Sequence, residues 1–242
     1  MLEPLNIQTK DISKEVYKPS EADRKAEEFL SRFSDLKSPP PPFAKGGDKE
    51  ESLKRGDIIS PPLKKGDVGG FLDKSPCFIG IAISSGNKLK ELGEEKITEL
   101  INKLLDNFDA RIVLIGSDAD RATADKVFNS INKKDRVINA TGKFSLSELP
   151  ALVEKLSLFI GVDTGITYMA DAMLIPIIDI AGPSDMSDQR PLGKNTRIIQ
   201  KDISCVPCSH VFKSPYSCKR GDRICITSVD VSEIIEAAKK LL

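Results

Sequence analysis

Leu158-Phe159-Ile160-Gly161-Val162-Asp163-Thr164-Gly165-Ile166-Thr167-Tyr168-Met169-Ala170 reads as a buried strand that ends in Asp-Thr-Gly and runs straight into a helix. The strand part is apolar throughout, the pattern of a strand covered on both faces. The amides of Thr164 and Gly165 fall at a helix N-terminus, where backbone N–H groups and the helix dipole favour an anion. Gly165 permits close approach of a ligand to the backbone. Asp163 carries the wrong charge for a phosphate, so a sugar hydroxyl suits it better. A plain capped helix, with Asp163 or Thr164 as the cap, reads the same residues equally well.

The pattern repeats outward from this stretch. Strands are predicted over 77–84, 111–116, 136–139, 158–163, 176–181 and 196–200. Helices are predicted over 94–108, 120–131, 145–156, 167–173 and 230–242. Ser145 with Glu148, and Asp230 with Glu233, have the spacing of capping boxes. Apolar strands alternating with helices imply an α/β fold, a doubly wound, Rossmann-like parallel sheet. No Gly-x-Gly-x-x-Gly follows the first strand, which argues against a generic dinucleotide-binding dehydrogenase.

The region before residue 76 differs. Residues 20–33 have helical apolar spacing, with Ser20 as the expected N-cap and Asp23 three residues on. Residues 36–75 are rich in Pro, Gly and Lys and contain an approximate duplication, Pro-Pro-Phe-Ala-Lys-Gly-Gly from Pro41 and Pro-Pro-Leu-Lys-Lys-Gly-Asp from Pro61. They resemble translated interspersed repeats, and their composition is that of a disordered insertion; a ligand for a Pro-binding domain is the functional alternative. The expected organisation is thus 1–35 as a segment with one helix, 36–75 as the insertion, and 76–242 as one α/β domain with a Cys-rich loop at 205–225.

Composition limits the function. The chain has 242 residues, with 36 Lys and Arg balanced by 36 Asp and Glu. A zero formal charge argues against nucleic acid as a partner. The apolar runs are strand-sized and the N-terminus is polar, so a cytoplasmic location is expected. In a doubly wound sheet the ligand sits beyond the carboxyl ends of the strands. After the first strand come Ser84, Ser85, Gly86 and Asn87 with Lys88 and Lys90, which read either as a phosphate-binding turn or as a surface turn with solvated lysines. After the second come Gly116 to Asp120, where Asp120 is either a ribose ligand or the N-cap of the next helix. Of five cysteines, Cys77 is a candidate core thiol. Cys205, Cys208, Cys218 and Cys225 form a set of four soft ligands suited to a structural zinc. His210 is an alternative ligand, and reduced thiols or an iron–sulfur cluster are the other readings.

Together these segments resemble glycosyltransferase family nine, which includes the ADP-heptose:lipopolysaccharide heptosyltransferases. The resemblance rests on Asp163-Thr164-Gly165 with Met169-Ala170, on Gly142-Lys143-Phe144-Ser145-Leu146 with Glu148-Leu149, on Gly182-Pro183-Ser184-Asp185, on Pro191-Leu192-Gly193 and on the Cys-x-x-Cys tail. It runs in order from Cys77 to Leu242. It implies the C-terminal half of a GT-B fold, which binds the donor; the acceptor and an aspartate base belong to an N-terminal domain for which this chain shows no counterpart. By position, Asp163 holds the sugar, Thr164 and Gly165 the diphosphate, and Lys90 neutralises phosphate beside Ser84 and Ser85. Asp120 stands at the ribose and Phe144 at the adenine. Tyr168 replaces the family's His, and Leu92-Gly93 its Trp-Pro.

The implied reaction is transfer of a sugar, ADP-heptose being the expected donor, to lipopolysaccharide core or a lipid A–Kdo acceptor. No cofactor is required for that chemistry. The implied partners are the donor, the acceptor, the inner-membrane surface that carries it, and a separate N-terminal acceptor domain. A truncated, inactive nucleotide-sugar-binding module is the competing expectation.

Overall fold

The computed structural model describes residues 16, 18–33 and 76–242. The repeat read at 36–75 lies outside the described residues.

Six strands form one parallel sheet: β1 (Cys77–Ala82), β2 (Ala110–Ile115), β3 (Val137–Asn139), β4 (Leu158–Val162), β5 (Ile177–Ile180) and β6 (Thr196–Ile199). Their spatial order is β3-β2-β1-β4-β5-β6. The winding direction therefore reverses between β1 and β4, and a crevice opens at the carboxyl ends of those two strands. Their register, Ile79 opposite Leu158 and Ile81 opposite Ile160, brings both ends to the same level.

Helices cover both faces. Successive strand residues point to opposite sides, so Ile79, Ile81, Ile112, Leu114, Ile160 and Ile178 pack one core. Three helices cover that face: α2 (Glu94–Asn107), α3 (Arg121–Asn129) and α7 (Val231–Lys239). Phe78, Val113, Ile115, Phe159 and Ile177 pack the other core. Helices α1 (Ser20–Ser31), α4 (Leu149–Val153) and α5 (Gly165–Ala172) cover it. A one-turn helix, α6 (Ile224–Thr227), precedes α7. Helix α1 reaches the domain through Ala22 and Ala26, small enough to let it lie close on Ala151 of α4.

The predicted doubly wound, Rossmann-like sheet is the observed one, but some helix starts differ. Ser20 is not a cap. Pro19 holds the N-cap position of α1 without a side-chain bond, and Asp23 is taken by the Lys18 ammonium at 2.7 Å. Helix 145–156 shortens to α4. Ser145 and Glu148 do bond, but in one direction only: the Ser145 N–H and hydroxyl both donate to Glu148 Oε2 at 2.8 Å, closing a turn ahead of the helix instead of a capping box. Helix 167–173 instead starts at Gly165. The Asp230–Glu233 box forms as expected: Asp230 Oδ1 accepts from the Ser232 N–H at 2.8 Å, and Glu233 accepts from the Asp230 N–H at 3.3 Å.

Candidate donor-binding site

The crevice between β1 and β4 is built around one carboxylate. Asp163 follows β4 and is 5% exposed. Lys90 Nζ donates to its Oδ2 at 2.6 Å, and the Ser184 hydroxyl donates to the same oxygen at 2.5 Å. The Tyr168 phenol donates to Oδ1 at 2.6 Å. The Gln189 amide, turned so that its nitrogen faces the carboxylate, adds a donor at 3.1 Å to Oδ2 and accepts from the Val211 N–H. Such charge-assisted bonds keep the carboxylate stable away from bulk water.

Local turns deliver each partner. After β1 the chain bends at Asn87, whose Oδ1 accepts from the Leu89 N–H at 3.0 Å. The following 3-10 turn, Lys88–Lys90, carries Lys90 inward while Lys88 stays out with Glu91. After β5 the chain turns at Gly182, with φ +53°; a Cβ there would meet Ile226 Cδ1 at 2.5 Å. Gln200 Nε2 fixes this turn by donating to the carbonyls of Gly182 and Ser184. Tyr168 lies one turn into α5, on the side that looks back at the strand end. Burial, first, and the Asp163 carboxylate push its phenol well above the usual range, so it stays a neutral donor.

The N-terminus of α5 opens beside this cluster. Thr164 occupies the N-cap position but its side chain caps nothing, and its Oγ1 is buried without a hydrogen-bond partner. Thr167 spends its hydroxyl on the Val162 carbonyl at 2.6 Å. The space around Gly165 is open, with nothing within 4 Å of where a Cβ would sit. Free helix-end amides, an unused hydroxyl and open space together suit an oxyanion.

A second pair forms at the end of β2. The Ser117 N–H and hydroxyl donate to Asp120 Oδ2 at 2.8 and 2.6 Å. Burial works to raise the Asp120 carboxyl, but the Ser117 and Ser84 hydroxyls and the Ser117 amide outweigh it and hold it below the usual range. Ser84 and Asp120 thus meet across the mouths of β1 and β2. Ser85 turns elsewhere: its N–H donates to Glu91 and its hydroxyl accepts from the Asn87 N–H. Phe144 stands apart, half-buried under α1. It packs edge-on to Phe29 with ring centres 5.4 Å apart, and the Lys25 ammonium lies 5.1 Å above its ring.

Three residues of the cluster escaped sequence reading. Ser184 lay in a segment singled out only as a motif. Gln189 gave no signal at all. Asp179 did: it is the one charged residue in the apolar run Ile177-Ile178-Asp179-Ile180. It pairs in register with Gly161 and is fully buried, with neither oxygen bonded. Burial, and then the neighbouring Asp163 charge, push its carboxyl up to about 7. Pro191-Leu192-Gly193 also gains a role, since the amides of Leu192 and Gly193 donate to Asp171 on α5.

Cys205, Cys208, Cys218 and Cys225 line one basin with Leu89 and Pro183. His210 lines the adjoining basin with Cys205, Cys208 and Cys218, and its Nδ1 lies 3.0 Å from Asp185 Oδ2. Among the described residues no helix is long and apolar enough to cross a membrane.

Comparison with known proteins agrees with this architecture. Residues 59–216 match the model of glycosyltransferase family 9 (heptosyltransferase). No match is found among curated protein sequences. The Veillonella parvula glycosyl transferase of family 9 superposes with a TM-score of 0.63 at 19% identity, over 93% of this chain and 52% of that one. The E. coli ADP-heptose LPS heptosyltransferase II superposes with a TM-score of 0.58 at 18% identity, over 71% of this chain and 48% of that one. E. coli heptosyltransferase WaaC with ADP gives 0.53 at 17%, over 69% and 45%. The chain therefore spans about half the length of these structures. The match of the family model over most of the sequence makes this chain a member of glycosyltransferase family 9, the heptosyltransferase family.

Proposed function

We propose that this chain is the donor-binding half of a heptosyltransferase-type enzyme, holding ADP-heptose for transfer to lipopolysaccharide core or a lipid A–Kdo acceptor. The observation that carries the reading is the pairing of Lys90 with Asp163 beside the open N-terminus of α5, at the reversal point of the sheet. A cation and free helix amides suit the diphosphate; a carboxylate next to them suits the sugar hydroxyls. That the matched E. coli structures are an ADP-heptose heptosyltransferase and WaaC with ADP supports adenine as the base.

The chemistry asked of these groups is electrostatic. The acceptor oxygen attacks the anomeric carbon, the bond to the diphosphate oxygen breaks, and ADP leaves with the electron pair. Thr164, Gly165 and Lys90 stabilise the charge that develops on the leaving group, without a metal. Asp163 orients the sugar, and Asp120 with Ser84 takes the ribose. The proton of the acceptor hydroxyl passes to a base on the acceptor domain.

Calorimetric titration of the full chain with ADP, an ADP-sugar and the UDP and GDP analogues tests this. The adenine ligands should bind at least about tenfold tighter, roughly 1.4 kcal/mol. Equal affinity for all three bases removes the assignment. A second reading is a module that retains the donor without transferring it. Tyr168 favours it, because a neutral phenol locked onto Asp163 replaces the His of the related enzymes and cannot carry a positive charge. Turnover of ADP-heptose by the chain with a lipid A–Kdo acceptor rejects that reading.

A further inference from the structure

We infer that Gln189 is a built-in stand-in for a hydroxyl of the donor sugar: it fills the last hydrogen-bonding position of Asp163, and a nucleotide sugar, but not the bare nucleotide, displaces it. The inference rests on the reading of the crevice as a nucleotide-sugar site, and it names the residue that tunes the site's preference for the sugar.

The bonding around Asp163 carries it. A carboxylate offers about four lone-pair positions. Among the described residues four side chains donate to this one: Lys90, Ser184 and Gln189 to Oδ2, and Tyr168 to Oδ1. The Asp163 side chain is only 3% exposed. The chemistry of its neighbours fixes how the Gln189 amide lies. A carboxylate accepts and the Val211 N–H donates, so the amide nitrogen faces Asp163 at 3.1 Å and the amide oxygen faces Val211 at 2.6 Å. A sugar hydroxyl that donates to Asp163 therefore takes a position that one of the four already holds.

Gln189 is the one that yields. The bonds from Lys90, Ser184 and Tyr168 are 2.5–2.6 Å long, and that from Gln189 is the longest at 3.1 Å. Lys90 brings a full charge, Tyr168 stands on α5, and the Ser184 turn is clamped by Gln200. Gln189 is neutral and half-buried, and it lies in the loop between β5 and β6 with exposed Asp188 and Arg190 on either side. Its backbone is held: the Gln189 N–H donates to the Asp185 carbonyl at 2.8 Å, and Asp185 Oδ1 accepts from the Ser187 N–H and hydroxyl. The flexible stem of the side chain lets the amide rotate away while this turn stays in place.

The arrangement separates two ligands that differ by one sugar. A nucleoside diphosphate puts its phosphates at Lys90 and the N-terminus of α5 and makes no demand on the Gln189 position. A nucleotide sugar needs that position, so the cost of turning Gln189 out falls on it alone. When the sugar has left, the amide returns, and the buried carboxylate is not short of a partner.

Calorimetric titration of the full chain and of two variants with ADP and with ADP-heptose tests this. Gln189→Ala and Gln189→Met should each bind ADP-heptose on the order of three- to tenfold tighter than the unsubstituted chain, the reach of one exchanged hydrogen bond, with ADP affinity unchanged within about twofold. Methionine keeps the bulk of the side chain without its N–H, so tightening in the alanine variant alone would mean steric obstruction and overturns the exchange. Unchanged or weaker ADP-heptose binding in both variants, or an equal change for the two ligands, overturns it too. In the unsubstituted chain the Val211 amide should exchange its hydrogen faster with ADP-heptose bound than with ADP bound, because its acceptor has turned away; equal exchange rates contradict the displacement. If the unsubstituted chain does not bind ADP-heptose, the donor reading fails and takes this inference with it. If it binds and the Gln189 variants behave as the unsubstituted chain does, only the role of Gln189 falls.

Discussion

Lys90 and Asp163, 73 residues apart in the chain, meet at 2.6 Å across the point where the sheet reverses its winding. The pair joins the loop after β1 to the end of β4, so it both closes the fold at its crevice and charges the crevice. Its Lys half suits a phosphate and its Asp half a hydroxyl, which makes the two residues separable by mutation.

Replacing Asp163 with Ala should weaken an ADP-sugar far more than ADP. Hydrogen bonds to a charged group are worth about 1.5–3 kcal/mol, or roughly 10- to 150-fold in affinity. ADP lacks the transferred sugar, and Lys90 is released toward its phosphates, so ADP affinity should hold or rise. Calorimetry with both ligands checks the split. An equal fall for the two ligands would contradict the placing of Asp163 at the sugar.

Lys90→Met should destabilise the domain. The side chains of Lys90 and Asp163 are only 10% and 3% exposed. Removing one partner of a buried pair leaves the other charge uncompensated and costs about 3–5 kcal/mol. The remaining bonds from Tyr168 and Ser184 place the loss at the low end, about 3 kcal/mol. Lys90→Met combined with Asp163→Leu should recover part of it. Urea unfolding of the two variants measures the recovery, and a double variant weaker than the sum of its parts would mean that the pair is not the source.

The fold was legible because the strands are continuous apolar runs, and Leu158–Val162 followed by Asp163 marked the crevice on its own. The helix starts were less legible. Ser20 and Ser145 have capping sequences, but Lys18 captures Asp23, and the Ser145–Glu148 pair closes a turn instead. Of the site, Asp163 and Lys90 were readable as strand-end and loop groups, and Tyr168 only through the family resemblance. Their mutual bonding was not, since it depends on turns at Asn87 and Gly182 that only tertiary packing fixes. Ser184 and Gln189 reach Asp163 from a long loop whose path has no periodic signature.

Asp179 should give the domain a measurable pH dependence. Its folded carboxyl titrates near 7, above the ordinary 3.8, chiefly through burial. The native state then binds more protons than the unfolded chain between those values, so stability falls as pH rises from about 4 to about 7 and is flat above. The full effect is on the order of 4 kcal/mol as an upper figure. Asp179→Asn keeps the shape without the ionisation, so it should flatten this slope and be the more stable protein at pH 8. Urea midpoints at pH 5 and pH 8 decide it. An unchanged slope in the variant would assign the titration to another group.

Phe144 and Phe29 separate a packing role from a ligand role. Their rings meet edge-on at 5.4 Å, and Phe144 belongs to the cluster that seats α1 on α4. An aromatic pair of this kind contributes about 0.5–1.5 kcal/mol beyond its area. Phe29→Leu and Phe144→Leu should therefore each lower stability by about 1–2 kcal/mol, allowing for the lost contact and partial refilling by leucine. The two should differ in binding. Phe29 has no expected contact with the donor, so its variant should keep ADP affinity within about twofold, less than 0.5 kcal/mol. Phe144 is the residue expected beside the adenine, so its variant should lose several-fold more ADP affinity while a phosphate-only ligand such as pyrophosphate binds unchanged. If both variants bind ADP equally well, Phe144 serves only to dock α1, and the base lies elsewhere along the mouth of β2 and β3.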